Sequence, residues 1–134
     1  MTRLISDEAW ASLTIWCEAR SEPYEGQVAV AEVIQARMRR RFLSDGTVVG
    51  TVLAPYQFSA WNTTDPNRRR AAVLDDADVG LAMARQAWRD VLAGASVVPG
   101  ALMYLNPQAV TRMPEWAIPE KFLRAIGAHH FYMA

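Results

Sequence analysis

Pro23 divides what would otherwise read as one long amphipathic helix. Apolar residues recur at helical spacing on both sides of it: Trp10, Leu13, Trp16 and Cys17 before, and Val28, Ala31, Val33, Ile34 and Met38 after. The proline ring disfavours helical backbone at Glu22, yet proline itself is well tolerated at a first helical position. One helix is therefore expected to end near Arg20, and a second to run from Pro23 to about Arg41 after a tight break. Ser6 or Asp7 can cap the first helix, with Asp7 and Glu8 in its opening turn. Gly26, in the first turns of the second helix, costs helix stability and marks a place where another group approaches closely.

Beyond these helices the punctuation is denser. Ser44-Asp45-Gly46 is a turn, and Thr47 to Leu53 is short and β-branched, either a brief strand or the start of a short helix. Pro55 breaks it. Tyr56 to Asn62 alternates aromatic and polar residues, and Thr63 to Asn67 reads as loop. A third long helix is expected from Asp76 or Asp78 to about Gly94, with Val79, Met83, Ala87, Val91 and Leu92 inward and Gly94 as its C-terminal cap. Pro99-Gly100 is a turn before the short apolar run Ala101 to Leu105. The expected architecture is a mainly α, single domain over residues 1–134, with at most a small β element near 47–62.

Glu18 is the residue with chemical interest. It falls in the last turn of the first helix, near the partial negative pole, where a carboxylate is not favoured. Walling by Trp16 and other apolar groups would raise its proton affinity further. A carboxyl group that keeps its proton near neutral pH is what general-acid cleavage of a glycosidic bond requires. The bland alternative is a solvated helix-end residue.

Charge and composition remove several other classes. Lys plus Arg number 14 and Asp plus Glu 14, so nothing in the net charge calls for nucleic acid as a partner. Hydrophobic residues make up 51% of the chain, which argues against disorder. Arg37, Arg39, Arg40 and Arg41 cluster, as do Arg68, Arg69 and Arg70; they read as solvated helix ends or as a patch facing an acidic polymer. Cys17 is the only cysteine, so no internal disulfide can form, and beside Trp16 it reads as a small buried hydrophobe. No apolar run approaches the ~20 residues needed to span a bilayer, so stable membrane insertion is not expected. No His/Cys/Asp cluster has metal-ligand spacing, and neither a metal nor another cofactor is expected.

Four segments, in order, resemble the SleB/CwlJ-type cell wall hydrolases. They are Glu18-Ala19-Arg20-Ser21-Glu22-Pro23-Tyr24-Glu25-Gly26-Gln27-Val28-Ala29-Val30-Ala31, then Gln57-Phe58-Ser59, then Ala101 to Pro107, and last Ile126-Gly127-Ala128-His129 through Phe131. The resemblance runs from about Trp10 to Tyr132. It implies a lysozyme-like, mostly helical fold and cleavage of peptidoglycan glycan strands between N-acetylmuramic acid and N-acetylglucosamine. It also implies that Glu18 is the catalytic residue and that the product carries a 1,6-anhydro end, as left by lytic transglycosylases. Ser21 stands where relatives commonly have Gly, Gln35-Ala36 precede Arg37 where relatives have Asn, and Met103 and Leu105 replace aromatics; these departures bear on substrate preference.

The carboxylates agree with that mechanism. A retaining glycosidase needs a second carboxylate ~5–5.5 Å from the acid, and an inverting one ~6.5–9.5 Å away. Glu22 at the break and Glu25 in the next first turn both have structural explanations, and Glu32 lies two turns farther on. A transglycosylase needs one carboxyl group, which protonates the leaving oxygen and then accepts the proton of the sugar's own 6-hydroxyl. Gln57, Ser59 and Asn106 are candidate amide and hydroxyl contacts to sugar, Tyr24, Trp61 and Tyr104 candidate stacking rings, and Phe58 a motif residue with a core alternative. His129 reads as a buried hydrogen-bonding residue, and Trp10, Trp88 and Trp116 as packing.

Without a signal segment or wall-binding module, the expected role is a phage endolysin. It would be monomeric, made in the host cytoplasm, released through a holin-made pore, and act in the periplasm and cell wall. The alternatives are a hydrolytic muramidase, a bacterial wall-remodelling enzyme and a non-catalytic peptidoglycan-binding module.

Overall fold

The computed structural model describes residues 6–55, 57–62 and 64–134. Helix α1 (Asp7–Ala19) begins at Ser6, whose hydroxyl accepts the Ala9 N–H at 3.1 Å. Helix α2 (Tyr24–Arg40) begins immediately after Pro23, which supplies the expected break. It ends at Arg41 in left-handed backbone (φ 50), whose N–H closes on the carbonyls of Arg37 and Met38. The third long helix, α5 (Val79–Leu92), starts on an Asp78 cap that accepts the Leu81 N–H at 3.0 Å.

Between α2 and α5 lie two short helices. The 47–53 segment is helical, as α3 (Val48–Val52), and 47–62 holds no strand among the described residues. Local hydrogen bonds outweigh its β-branched composition. Thr47 Oγ1 accepts the Gly50 N–H at 2.9 Å, Thr51 Oγ1 donates to the Thr47 carbonyl at 2.6 Å, and Asp45 ties down Thr47 in turn. A 3-10 helix follows at Ser59–Trp61. The run expected to be loop at 63–67 begins on Thr63, outside the described residues, as does Tyr56. Its other end starts helix α4 (Pro66–Ala72), with Asp65 as cap and Pro66 in the first turn. That Asp-Pro pair is an N-terminal helix signal which the loop reading passed over.

The β structure sits in the last third of the chain rather than near 47–62. Strands β1 (Met103–Leu105), β2 (Phe122–Ile126) and β3 (His129–Tyr132) form an antiparallel sheet in the order β1-β3-β2. The mainly α class with a small β element holds; only the position of that element differs.

Helices α1, α2 and α5 pack against one another, with α3 against α1 and α2. Ile15, Val30, Val33, Ile34, Val52, Phe58, Leu102 and Phe131 fill the interior. Each such side chain stabilises the fold by roughly 1.5–3 kcal/mol on burial. Cys17 belongs to this core, and burial pushes its thiol up to about 12, so it is an inert hydrophobe. The Arg37–Arg41 cluster splits: Arg39, Arg40 and Arg41 are exposed, but Arg37 is 3% exposed.

Glu32 ties the helices to the sheet. Its carboxylate accepts the Val97 and Val98 N–H groups at 2.7 and 3.0 Å and the Ser96 hydroxyl at 2.6 Å, fixing the loop that enters β1. Replacement Glu32→Ala leaves these donors without their charged acceptor. It is expected to lower the unfolding free energy by about 2 kcal/mol, read from the urea midpoint, while Glu18 chemistry persists in the folded fraction.

Candidate active site

Glu18 is the penultimate residue of α1, and the break at Pro23 leaves it facing the β1 end of the molecule. It lines an open cleft of about 490 Å³ together with Arg37, Gln57, Ser59, Tyr104, Leu105, Asn106, Ala109, Val110 and His129. Among the described residues of that lining, Glu18 is the sole carboxyl group. Another hollow, of about 500 Å³, lies between α1, α4 and α5, but its charges already satisfy one another: Glu8 pairs with Arg85 and Arg89, and Arg85 with Asp76.

Burial sets the chemistry of Glu18. The residue as a whole is half-buried but its carboxyl end is enclosed, and loss of hydration raises its pKa from 4.5 to about 7. A hydrogen bond from the Tyr104 hydroxyl works against that rise, Asp65 adds to it by charge, and Arg37 opposes it. Tyr104 is enclosed at its hydroxyl end, and burial beside Glu18 keeps it protonated far above neutral pH. It therefore stays a donor throughout the range in which Glu18 titrates.

Arg37 is the floor of this arrangement. Its Nε donates to the Leu102 carbonyl at 2.8 Å, one terminal nitrogen reaches Gln57 Oε1 at 3.5 Å and the other Met103 Sδ at 3.7 Å. The guanidinium also lies 5.1 Å from the centre of the Phe58 ring. No carboxylate stands within ion-pair distance of it among the described residues. A buried cation thus braces α2, the 57–59 segment and β1 around the carboxyl group.

The residues expected at the site divide into two sets. Gln57, Ser59, Tyr104 and Asn106 come to the Glu18 cleft. Asn106 also builds its own turn, its Oδ1 accepting the Gln108 N–H at 2.9 Å. Tyr24, Phe58 and Trp61 do not reach it. Tyr24 lies on the α2 face against α5 and donates its hydroxyl to Asp90, a contact that helix periodicity dictates and the motif order hides. Phe58 is 1% exposed and packs in the core beneath Arg37, as its apolar neighbours require. Trp61 turns towards α1, where its indole N–H donates to the buried Thr14 hydroxyl at 2.9 Å and its ring meets Trp10 edge-on at 5.3 Å. Arg37 stands in the sequence within an apparently solvated cluster; its place on the inner stripe with Val30, Val33 and Ile34 was the available signal. His129, read as a buried residue, is buried and also lines the cleft.

The carboxylates near Glu18 in sequence are occupied elsewhere. Glu22 accepts the Ala128 N–H at 2.9 Å, Glu25 pairs with Arg124, and Glu32 holds the loop before β1. Asp65, whose charge reaches Glu18, is the cap of α4 and accepts the Asn67 N–H at 2.8 Å.

The raised proton affinity of Glu18 carries a stability signature. Folded Glu18 keeps its proton up to about pH 7, whereas the unfolded carboxyl loses it near 4.5. Between those values the folded state binds more protons, so this group's contribution to stability falls as pH rises and levels off above about 7. Glu18→Gln removes that loss. The variant should match the parent near pH 4 and exceed it by on the order of 2–3 kcal/mol at pH 8, measured by denaturant unfolding at both pH values.

Known proteins share this fold and much of this sequence. A family profile described as cell wall hydrolase matches residues 21–132, a span that begins just after Glu18. The catalytic domain of the germination-specific lytic transglycosylase SleB from Bacillus anthracis superposes with a TM-score of 0.74 at 28% identity, over 98% of this chain and 99% of that one. The catalytic domain of the Bacillus cereus SleB protein gives a TM-score of 0.74 at 29% identity, over 98% and 94%. A spore cortex-lytic enzyme of Oceanobacillus iheyensis is 35% identical over 123 residues, which are 87% of this chain and 38% of that protein. The chain thus spans less than two fifths of the length of that curated relative. The shared fold is of the mainly helical, lysozyme-like class. With the profile covering most of its length, the chain belongs to the cell wall hydrolase family.

Proposed function

We propose that this chain cleaves the β-1,4 bond between N-acetylmuramic acid and N-acetylglucosamine in peptidoglycan as a lytic transglycosylase. The observation that carries the reading is the enclosed Glu18 carboxyl, raised to about 7 and alone of its kind among the described residues that line its cleft. Likeness to the Bacillus anthracis SleB domain, a germination-specific lytic transglycosylase, supports it.

The reaction follows from one carboxyl group used twice. Protonated Glu18 gives its proton to the bridging oxygen as the bond to the muramic C1 breaks, and the GlcNAc-side hydroxyl leaves. The resulting carboxylate faces developing positive charge on the sugar. It then takes the proton of the muramic 6-hydroxyl as that oxygen bonds to C1, closing the 1,6-anhydro ring and restoring protonated Glu18. Tyr104 and Arg37 stabilise the transient carboxylate, the first by donating a hydrogen bond and the second by charge. Gln57, Ser59 and Asn106 supply polar contacts along the cleft. An attacking group tethered to the reacting carbon needs no activated water and no second carboxylate.

The Oceanobacillus relative is a spore cortex-lytic enzyme, and the host-lysis role expected from the sequence has no counterpart in that name. We confine the proposal to the reaction and its substrate class.

Purified peptidoglycan digested by the parent should yield muropeptides ending in anhydro-muramic acid. Glu18→Gln should cut the rate by about 10³-fold or more while the fold survives, in line with loss of a proton donor that also serves as base. The parent's kcat/KM should fall as pH rises through about 7, as Glu18 loses its proton. Reducing-end muramic acid, or full activity in Glu18→Gln, would contradict the reading.

A further inference from the structure

His129 opens β3, where strand alternation turns it and Phe131 inward and His130 to the opposite face. Its ring meets Tyr104 edge-on at 5.1 Å and lines the Glu18 cleft. Behind it stands Glu22 from the α1–α2 break. Glu22 Oε1 lies 3.4 Å from His129 Nδ1, outside good hydrogen-bond alignment, and the same oxygen accepts the Ala128 N–H at 2.9 Å. The β2–β3 turn wraps this carboxylate tightly: Gly127 has φ +56, and a Cβ there would come within 2.8 Å of Glu22 Oε2. The Ala128 N–H and the close approach of Gly127 hold the carboxylate beside the ring.

This placement favours one tautomer. A ring lone pair held against a carboxylate oxygen is repelled, whereas an N–H is attracted, so the proton of a neutral imidazole sits on Nδ1. Nε2 is then a bare acceptor. Burial lowers the pKa of the ring below its ordinary value, against the opposing pull of Glu22, so the neutral form prevails at neutral pH. Titratable or charged groups facing the ring are Glu22 from the break and Tyr104 from β1, with Glu18 and Arg37 lining the same cleft. A bare ring lone pair suits a neutral hydroxyl donor.

We propose that His129 is a saccharide-binding residue of the Glu18 cleft, presenting Nε2 to accept a hydrogen bond from a sugar hydroxyl while Glu22 holds the proton on Nδ1. This rests on the glycan-cleaving reading above and assigns to one residue a role that the core reading of this histidine denies it.

The test uses the whole chain and soluble glycan strands of defined length. His129→Asn keeps an amide N–H near the Nδ1 position and removes the acceptor; His129→Gln places an amide at the depth of Nε2. The Asn variant should raise KM about tenfold, the scale of one lost hydrogen bond, with anhydro product and kcat nearly unchanged. The Gln variant should recover part of the loss. In the parent, kcat/KM should also fall on the acid side, where a second ring proton destroys the acceptor, and His129→Gln should flatten that limb. Should the Asn variant fail to fold, the acid limb of the Gln variant still decides. Parent-like KM in the Asn variant, or an acid limb unchanged in His129→Gln, overturns the proposal. Full activity in Glu18→Gln would instead overturn the glycan-cleaving reading itself, so the two failures are told apart.

Discussion

A carboxylate loses hydration when it is enclosed by protein, and Glu18 is enclosed at the end of α1. The consequence is a proton held to about pH 7, and much of the surrounding structure bears on that proton. Pro23 stops α1 and α2 from merging and leaves the end of α1 open to the cleft. Arg37 crosses the core to brace the β1 edge and the 57–59 segment around it. Tyr104 offers a hydroxyl that stays protonated whether or not Glu18 does. Enclosure raises the affinity for a proton, while the phenol and guanidinium keep the carboxylate accessible once the proton leaves. A group that must both give and take a proton needs both effects.

The neighbouring carboxylates are each engaged in the fold, which accords with the proposal that Glu18 acts without a second carboxylate. Glu22, Glu25, Glu32 and Asp65 each hold a piece of the fold: the β2–β3 turn, an ion pair to β2, the loop before β1, and the start of α4. Turning any of them into a nucleophile would cost the structure that places the cleft. The absence of a second carboxylate from the described lining of the cleft is consistent with the proposed attack by the substrate's own hydroxyl.

Much of this was legible in the sequence. Helical periodicity and the proline break located α1, α2 and α5, and the place of Glu18 in the last turn followed from them, although Val79, Met83 and Leu92, expected on the inner face of α5, are exposed while Ala87 and Val91 are buried. The location of the sheet was not legible, because β1 pairs with β3, far along the chain, while the β-branched run at 47–53 is captured by its own hydroxyl hydrogen bonds. The cleft was half legible. Gln57, Ser59, Tyr104 and Asn106 meet Glu18, but Tyr24, Phe58 and Trp61 carry the right chemistry on faces that tertiary packing turns towards Asp90, the core and Thr14. Motif order places backbone segments, and only packing decides which way a ring points. Arg37 was obscured for the opposite reason, since its charged neighbours suggested solvent while helix phase put it inside.

The most direct measurement is a digest of peptidoglycan in heavy-oxygen water, with mass analysis of the new glycan ends. If the 6-hydroxyl attacks and Glu18 is the only carboxyl group involved, no solvent oxygen enters the product and every new muramic end is an anhydro ring. Heavy oxygen at C1 of the new ends would show that water is the nucleophile, and the account of Glu18 as a lone acid and base would fall.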